Sequence, residues 1–506
     1  MRNRKSPFLA ILAGAGLIAA STLAAAANAP APAPAPVPVS GIDLEAPGTV
    51  MVHLFEWRWD DIAAECENVL GPSGIDAVQV SPPNEHITLA DVDGAWWARY
   101  QPVSYRLDSR SGDRAAFVAM VERCRAAGVG IVVDAVINHM AGIGEGEGIA
   151  DTRFTPFRYG ELYTESDFHH CGRNGNDQIQ NYQDRWEVQY CHLLGLADLA
   201  TEKPEVRERI ATYLQSLVDI GVAGLRIDAA KHIPPEDIAA ILGRVDGEPY
   251  VFQEVIDLGG EPIRAQDYLA NGDVTEFRYG RDLSRAMMSG DLARLKTLGD
   301  ADSWVPDERA LVFVDNHDNQ RGHGAGAVMM HAFDERYRLG VVFMLAWPYG
   351  TPRIMSSYTF DDSDQGPPSV PGDATWRTAR VHGESGLGCL APDSLDRRGW
   401  VCEHRWPDIL AMVGFRDMVG DAPLGHWQQD GESRIAFARG KRGFLAINRS
   451  DDAWQATLET ALPAGRYCNI LADDCTQPVV VDANGQAQLH VPANATVALH
   501  MGRQAR

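Results

Sequence analysis

Basic charge is what this sequence has least of for its size. Its 506 residues carry 45 Lys and Arg against 69 Asp and Glu, a formal charge of −24. Such a field repels nucleic acid and anionic membranes, so the expected substrate is neutral or small. CxxC pairs are missing too, which argues against a thiolate zinc site. Past residue 40 no repeat or low-complexity tract interrupts the chain.

What is present suits a large exported protein. A 45% hydrophobic content allows a sizeable core and, at this length, roughly two to four domains. Arg2, Arg4 and Lys5 precede an apolar stretch from Phe8 to Ala27. That pattern predicts a secretory signal over residues 1–27, and its removal makes the chain more acidic still. "APAPAPAPVPV", Ala29 to Val39, has no apolar face and reads as an extended linker over residues 28–40. All eight cysteines follow the signal, and an even count in an exported chain predicts four disulfides; spacing alone leaves 105 pairings open.

Eight β-rich runs recur, at 50–57, 76–83, 130–139, 224–232, 250–256, 274–279, 310–318 and 341–352. Amphipathic helical patterns, such as Asp113 to Ala127 and Val206 to Ile220, separate several of them. Alternating strands and helices imply a parallel sheet, and eight such units an α/β fold of the (β/α)8 barrel class. Between the third and fourth runs, roughly 60 residues precede the helical pattern that starts at Val206, too many for an ordinary loop. We therefore expect a barrel over 41–140 and 201–417, with a small domain inserted at 141–200. Beyond about residue 418 short alternating segments predict an antiparallel β-sandwich over 418–506.

In such barrels chemistry sits at the carboxyl ends of the strands. There the sequence collects Asp134, Asn138 and His139; Asp228, Lys231 and His232; Glu254; and His317 and Asp318. Three carboxylates, Asp228, Glu254 and Asp318, end three different strands. Such a trio fits retaining glycoside cleavage: one acid attacks the anomeric carbon, a second protonates the leaving oxygen, and nearby anions stabilise the oxocarbenium charge. Singly, each would more often be a surface or ion-paired acid. Trp96, Trp97, Tyr100 and Gln101 in "WWARYQP" suggest a solvent-facing aromatic platform for a sugar face, since adjacent exposed tryptophans are otherwise hard to justify.

"DAVINH", "GLRIDAAKH", "FQEVI" and "FVDNHD" resemble, in order and spacing, the four sequence regions of the α-amylase family of glycoside hydrolases. "FVDNHDNQRGHGAGA" and "PRIMSSY" are similar to its chloride-dependent, animal-type branch. The resemblance runs from about His53 to the C-terminus. It implies a secreted, monomeric enzyme that cleaves α-1,4-glucosidic bonds inside starch, glycogen and maltooligosaccharides; an α-glucan transglycosylase with the same site is the alternative. It also implies Asp228 as nucleophile, Glu254 as general acid/base and Asp318 as transition-state stabiliser. His139, Lys231, His232, Ile256, His317 and His323 match residues that contact sugars, and Gly322 to Ala327 a loop over the cleft.

The same resemblance implies two ions. For Ca2+ it gives the side chains of Asn138 and Asp198 and the backbone carbonyls of Gln189 and His232, an oxygen-rich set that suits the ion. For chloride it gives Arg226, Asn316 and Arg353, expected to converge beneath the carboxylates rather than on them, with Arg353 after the last strand. Two uncompensated guanidinium groups would hold Glu254 ionised, whereas a bound anion offsets them and lets it keep the proton it must donate. A buried pair of Arg226 with a carboxylate, without chloride, is the structural alternative. The cysteines are implied to pair as Cys66 with Cys124, Cys171 with Cys191, Cys389 with Cys402 and Cys468 with Cys475. Against a hydrolase stand a metal-dependent barrel enzyme ligated by His139, Asp228 and His232, and a non-catalytic glucan-binding protein. The first needs clustered histidines and the second the loss of an acid, and the sequence offers neither.

Overall fold

A computed structural model describes residues 43–88, 94–324, 328–331, 334–391, 394–472 and 474–505. The expected signal and linker, and residues 325–327 of the expected cleft loop, lie outside the described residues. Eight parallel strands close a barrel in chain order: Met51–Leu54, Ala77–Val80, Gly130–Ala135, Gly224–Ile227, Tyr250–Gln253, Asp273–Thr275, Ala310–Val312 and Thr351–Ser356. Side chains alternate between faces along each strand, so inward residues recur every second position. Met51, Ala77, Val132, Phe252 and Leu311 form an apolar plug inside the barrel. Two residues further on stand His53, Gln79, Asp134, Glu254 and Phe313, so the interior turns polar towards the carboxyl ends. Asp134 pairs in register with Arg226 on the neighbouring strand, which brings opposite charges onto one face.

Two helices form where the sequence marks them. Arg114–Ala126 starts at Asp113, whose carboxylate accepts from Ala116 N at 2.9 Å and caps the first turn. Pro204–Ile220 opens with proline in its first turn and stops at Gly221, whose φ of 99° suits glycine. Between the third and fourth barrel strands the chain makes a long excursion. It contains a ladder of His139–Met140 against Ala197–Asp198, a three-stranded sheet over 146–159 and the helix Arg185–Tyr190. After the helix Pro407–Val419, two four-stranded antiparallel sheets face each other, with Phe444 and Leu499 of one meeting Trp454 and Leu489 of the other.

One strand is misplaced by the sequence reading. The run at 341–352 is expected to be the eighth strand, but Val341 to Ala346 belong to the helix Asp334–Ala346, and the strand is Thr351–Ser356. The C-terminal half of the helix is apolar because it lies between layers: Phe343 meets Phe437 of the C-terminal sheets at 5.9 Å, and Arg439 Nη1 donates to Ala346 O at 2.7 Å. Arg353 consequently stands within the last strand, not after it.

Four disulfides join Cys66 to Cys124, Cys171 to Cys191, Cys389 to Cys402 and Cys468 to Cys475. A polar tie closes the barrel between its first helix and the segment after its last strand. Glu65, fully buried, accepts from His404 Nε2 at 2.7 Å, His382 Nε2 at 2.9 Å and Arg405 Nε at 2.6 Å. Burial works against its charge, but these three donors outweigh it and hold the carboxyl well below the usual range. Glu65→Gln leaves Arg405 and the buried His404 short of a partner and is expected to cost about 3–5 kcal/mol at pH 7. A group with a depressed folded pKa stabilises above its unfolded value and loses that contribution as pH falls. The stability difference between wild type and variant should therefore be full at pH 7 and shrink as pH falls below the unfolded glutamate value of about 4.3. Urea unfolding at pH 7, 5 and 4 checks both points.

Candidate active site

The fourth strand delivers Arg226 and, one repeat later, Asp228 to the barrel interior, while Leu225 and Ile227 are buried on its other face. Arg226 Nη1 binds Asp134 Oδ1 and lies 2.8 Å from Asp228 Oδ1; its Nη2 lies 2.7 Å from Glu254 Oε1. One guanidinium fork thus spans three carboxylates. Glu254 follows the fifth strand, and its Oε2 accepts from Ala229 N at 3.0 Å. That bond needs a left-handed turn directly after Asp228: Ala229 has φ 49°, a strained conformation for a residue with a Cβ. Asp318 follows the seventh strand, half-buried, with Oδ2 3.3 Å from His317 Nε2.

This differs from the expected anion set. Arg226 lies on the carboxylates rather than beneath them, because its long side chain reaches past one strand repeat. Asn316 Oδ1 accepts from Asp318 N at 3.1 Å and Asn319 N at 2.8 Å, fixing the turn that presents Asp318. Arg353 Nη1 donates to Gln79 Oε1 at 2.6 Å, and its guanidinium lies 4.8 Å from the Phe313 ring centre.

The electrostatics follow from four acids gathered around one guanidinium. Burial opposes the charge of Arg226, yet Asp134, Glu254 and Asp228 together hold its pKa well above the usual value. Burial pushes Asp228 well up against the pull of Arg226, and Glu254, Asp134 and Asp318 add to the rise. Asp318 is raised to about 7, by burial and then by the negative charge of Glu254. These acids therefore titrate as one coupled group rather than singly. The histidines beside them do not compete for protons. Burial lowers His139 and His232 to about 4 and His317 well below 6.5, so all three are neutral hydrogen-bonding groups.

The wall around the acids is aromatic but less exposed than expected. Trp96–Tyr100 is a 3-10 helix, and Trp96, only 6% exposed, packs against Phe55 and His317 and donates from Nε1 to Ser363 O at 2.8 Å. Trp97, the next residue in this tight turn, is partly exposed. Tyr100 stacks on His317 with ring centres 5.0 Å apart and donates to Asp134 Oδ2 at 2.9 Å. Gln101 Oε1 accepts from Gly142 N at 3.0 Å, holding the excursion rather than facing a ligand alone. His139 Nε2 donates to Tyr100 O at 2.9 Å. Lys231 donates to Ile256 O at 2.6 Å and to Glu261, beneath the Tyr182 ring. His323 lies 6.1 Å from Trp96, and Ile256 lies beside Gly324. Tyr182, Glu261, Gln79 and Arg321 are not found by the sequence reading. Arg321 in particular is packed against Phe360 and Tyr358, a neighbourhood that no local pattern signals.

Both candidate ion sites can be tested against the residues present. Asp198 is 2% exposed, and burial raises it to about 6 although His169 Nδ1 bonds its Oδ2 at 2.7 Å and Asn138 also bonds it. A buried carboxylate facing an amide suits a hard cation. Across from it His232 Nδ1 donates to Val188 O at 3.0 Å, which brings the backbone of His232 next to Gln189. For the anion, Arg353 is buried, pairs with no carboxylate among the described residues, and is lowered to about 10 by burial and by Arg226. An unpaired buried guanidinium suits an anion. His139, Asp228 and His232 are not brought together as a metal-ligand set.

Two family models match the chain: the alpha amylase catalytic domain over residues 74–260 and the alpha amylase C-terminal all-beta domain over 426–502. An alpha-amylase of Thermomonospora curvata is 46% identical over 469 residues, covering 89% of this chain and 73% of that protein. Human pancreatic alpha-amylase is 44% identical over 493 residues, covering 89% and 94%. The crystal structure of alpha-amylase I from Eisenia fetida superposes with a TM-score of 0.83 at 38% identity, covering 90% of this chain and 98% of that one.

Proposed function

The chain belongs to the α-amylase family, in its animal-type branch, and on that premise we propose that it is an exported, monomeric, endo-acting and retaining hydrolase of α-1,4-glucosidic bonds in starch, glycogen and maltooligosaccharides. The observation that carries the reading is the single Arg226 fork on Asp228 and Glu254. One guanidinium thus sets two carboxyls side by side at the barrel mouth, as an attacking acid and its proton donor must stand, and the retaining course is proposed with the family. Soluble starch should lose viscosity faster than reducing ends appear, and reducing ends should accumulate; a mixture that only redistributes chain lengths would indicate transfer instead.

In this reading Asp228 attacks the anomeric carbon while Glu254, steadied by Ala229 N, protonates the departing oxygen. Asp318 stabilises the positive charge that develops between them. Glu254 then takes a proton from the water that releases the sugar. The neutral histidines His139, His232 and His317, with Lys231, orient sugar hydroxyls, and Trp96, Trp97, Tyr100, Gln101, Ile256 and His323 shape the cleft. The barrel spans 41–140 and 201–417, the inserted domain 141–200 and the β-sandwich 418–506.

Calcium would be held by the side chains of Asn138 and Asp198 and the carbonyls of Gln189 and His232, joining the excursion to the barrel. Since it binds only the folded chain, saturation at about 100 times the dissociation constant adds about 2.7 kcal/mol of stability. Chelation should lower the melting temperature, Asp198→Ala should mimic it, and scanning calorimetry with and without calcium checks both.

Chloride would sit with Arg353, Arg226 and Asn316 and would supply a negative charge beside Arg353, which pairs with no carboxylate among the described residues. Without it, the proton needed for leaving-group departure is held less firmly. Activity should then fall first on the alkaline limb of the pH profile, which should move by ~1 pH unit. Arg353→Gln removes one positive charge and should keep measurable activity while losing the chloride response. Rate profiles in chloride and in a chloride-free buffer decide the matter.

A further inference from the structure

Away from the cleft, the excursion carries a second cluster of ligand-type side chains: His170, Asp177 and His192. The disulfide between Cys171 and Cys191 builds it, since His170 and His192 directly adjoin the two bonded cysteines. One nitrogen of each histidine and one Asp177 oxygen lie within 4.8 Å of one another.

The outward contacts of these residues fix which atoms face the centre. His192 Nε2 donates to His169 O at 3.0 Å, which leaves the lone pair on Nδ1. His170 Nε2 lies 3.1 Å from Glu165 Oε1, so its Nδ1 also turns a lone pair inward. Asp177 Oδ1 accepts from Gly172 N at 2.7 Å, and Oδ2 is left towards His170 Nδ1 at 3.7 Å. That separation is too long for a hydrogen bond. It suits two ligands of one ion, since donors about 2.0–2.1 Å from a tetrahedral metal stand roughly 3.3–3.5 Å apart. A histidine whose second nitrogen bonds a carboxylate or carbonyl is the usual supported ligand. Phe157 packs against both rings, at 4.7 Å and 5.6 Å, and gives the site an apolar wall.

We propose that His170, Asp177 and His192 bind a divalent transition metal of the Zn2+ type, distinct from the calcium site in donor chemistry. Two imidazoles and one carboxylate favour such an ion over Ca2+, which takes six or more oxygens. The ion would clip the loop bearing Asp177 to the disulfide. It would also reach the calcium arm, because His169, whose carbonyl holds His192, bonds Asp198 through its own side chain.

Calcium-saturated full-length protein, cleared of transition metals, would be titrated with Co2+ and then with Zn2+. One equivalent of Co2+ should give visible ligand-field bands that Zn2+ abolishes, and Zn2+ should raise the melting temperature above that with calcium alone. His170→Gln, on an exposed side chain, and Asp177→Asn should each weaken binding at least tenfold and remove the Zn2+ stabilisation, with calcium stabilisation kept in His170→Gln. Absence of saturable one-equivalent binding in the wild type, or wild-type affinity in both variants, overturns the site.

Discussion

Asp228→Asn is expected to lower starch hydrolysis by roughly 10^4-fold or more while the protein stays folded. Nucleophile, acid/base and stabilising carboxylate act as one unit, so losing the attacking oxygen removes most of what the trio contributes. The fold should tolerate the change. Asp228 carries one of four crowded acids and is itself pushed well up by burial and its neighbours, so a neutral amide relieves repulsion. Arg226 keeps Asp134 and Glu254 as partners. Steady-state kinetics beside an unfolding curve separate the two effects. Activity within tenfold of wild type would remove Asp228 from the proposed role.

Glu254→Gln is expected to cause a loss of similar size on starch but a smaller one on an aryl maltoside with a strongly acidic phenol. Such a leaving group departs without a proton, so the first step no longer needs the acid. Release of the sugar from Asp228 still needs a base, and becomes limiting. A burst of phenol followed by slow turnover is the expected trace. Equal losses on both substrates would give Glu254 a purely structural role, through Ala229 N and Arg226.

Much of this was legible in the sequence because strand geometry is simple. A period of two places Arg226 and Asp228 on one face, and the same rule sets Asp134 and Glu254 one step above Val132 and Phe252. What failed has physical reasons. Val341 to Ala346 is apolar all round, and an apolar run of that length fits a buried helix as well as a strand. Here the helix lies against Phe437, far along the chain. The direct grip of Arg226 on three acids depends on where a long flexible side chain points, which spacing does not set. Trp96 is buried because Phe55 and His317, from the segments that follow two barrel strands, close over it. The Glu65 tie joins residues 339 positions apart, and the His170, Asp177 and His192 cluster needs the disulfide to exist.

The central claim is a covalent sugar on Asp228. Incubating the protein with a fluorine-substituted maltosyl fluoride slows release of the intermediate more than its formation, and peptide mass mapping then locates the sugar. The account predicts one equivalent, on the peptide containing Asp228, and products that keep the α configuration. A label on Glu254 or Asp318 instead, or release of β-configured product without any adduct, would contradict it.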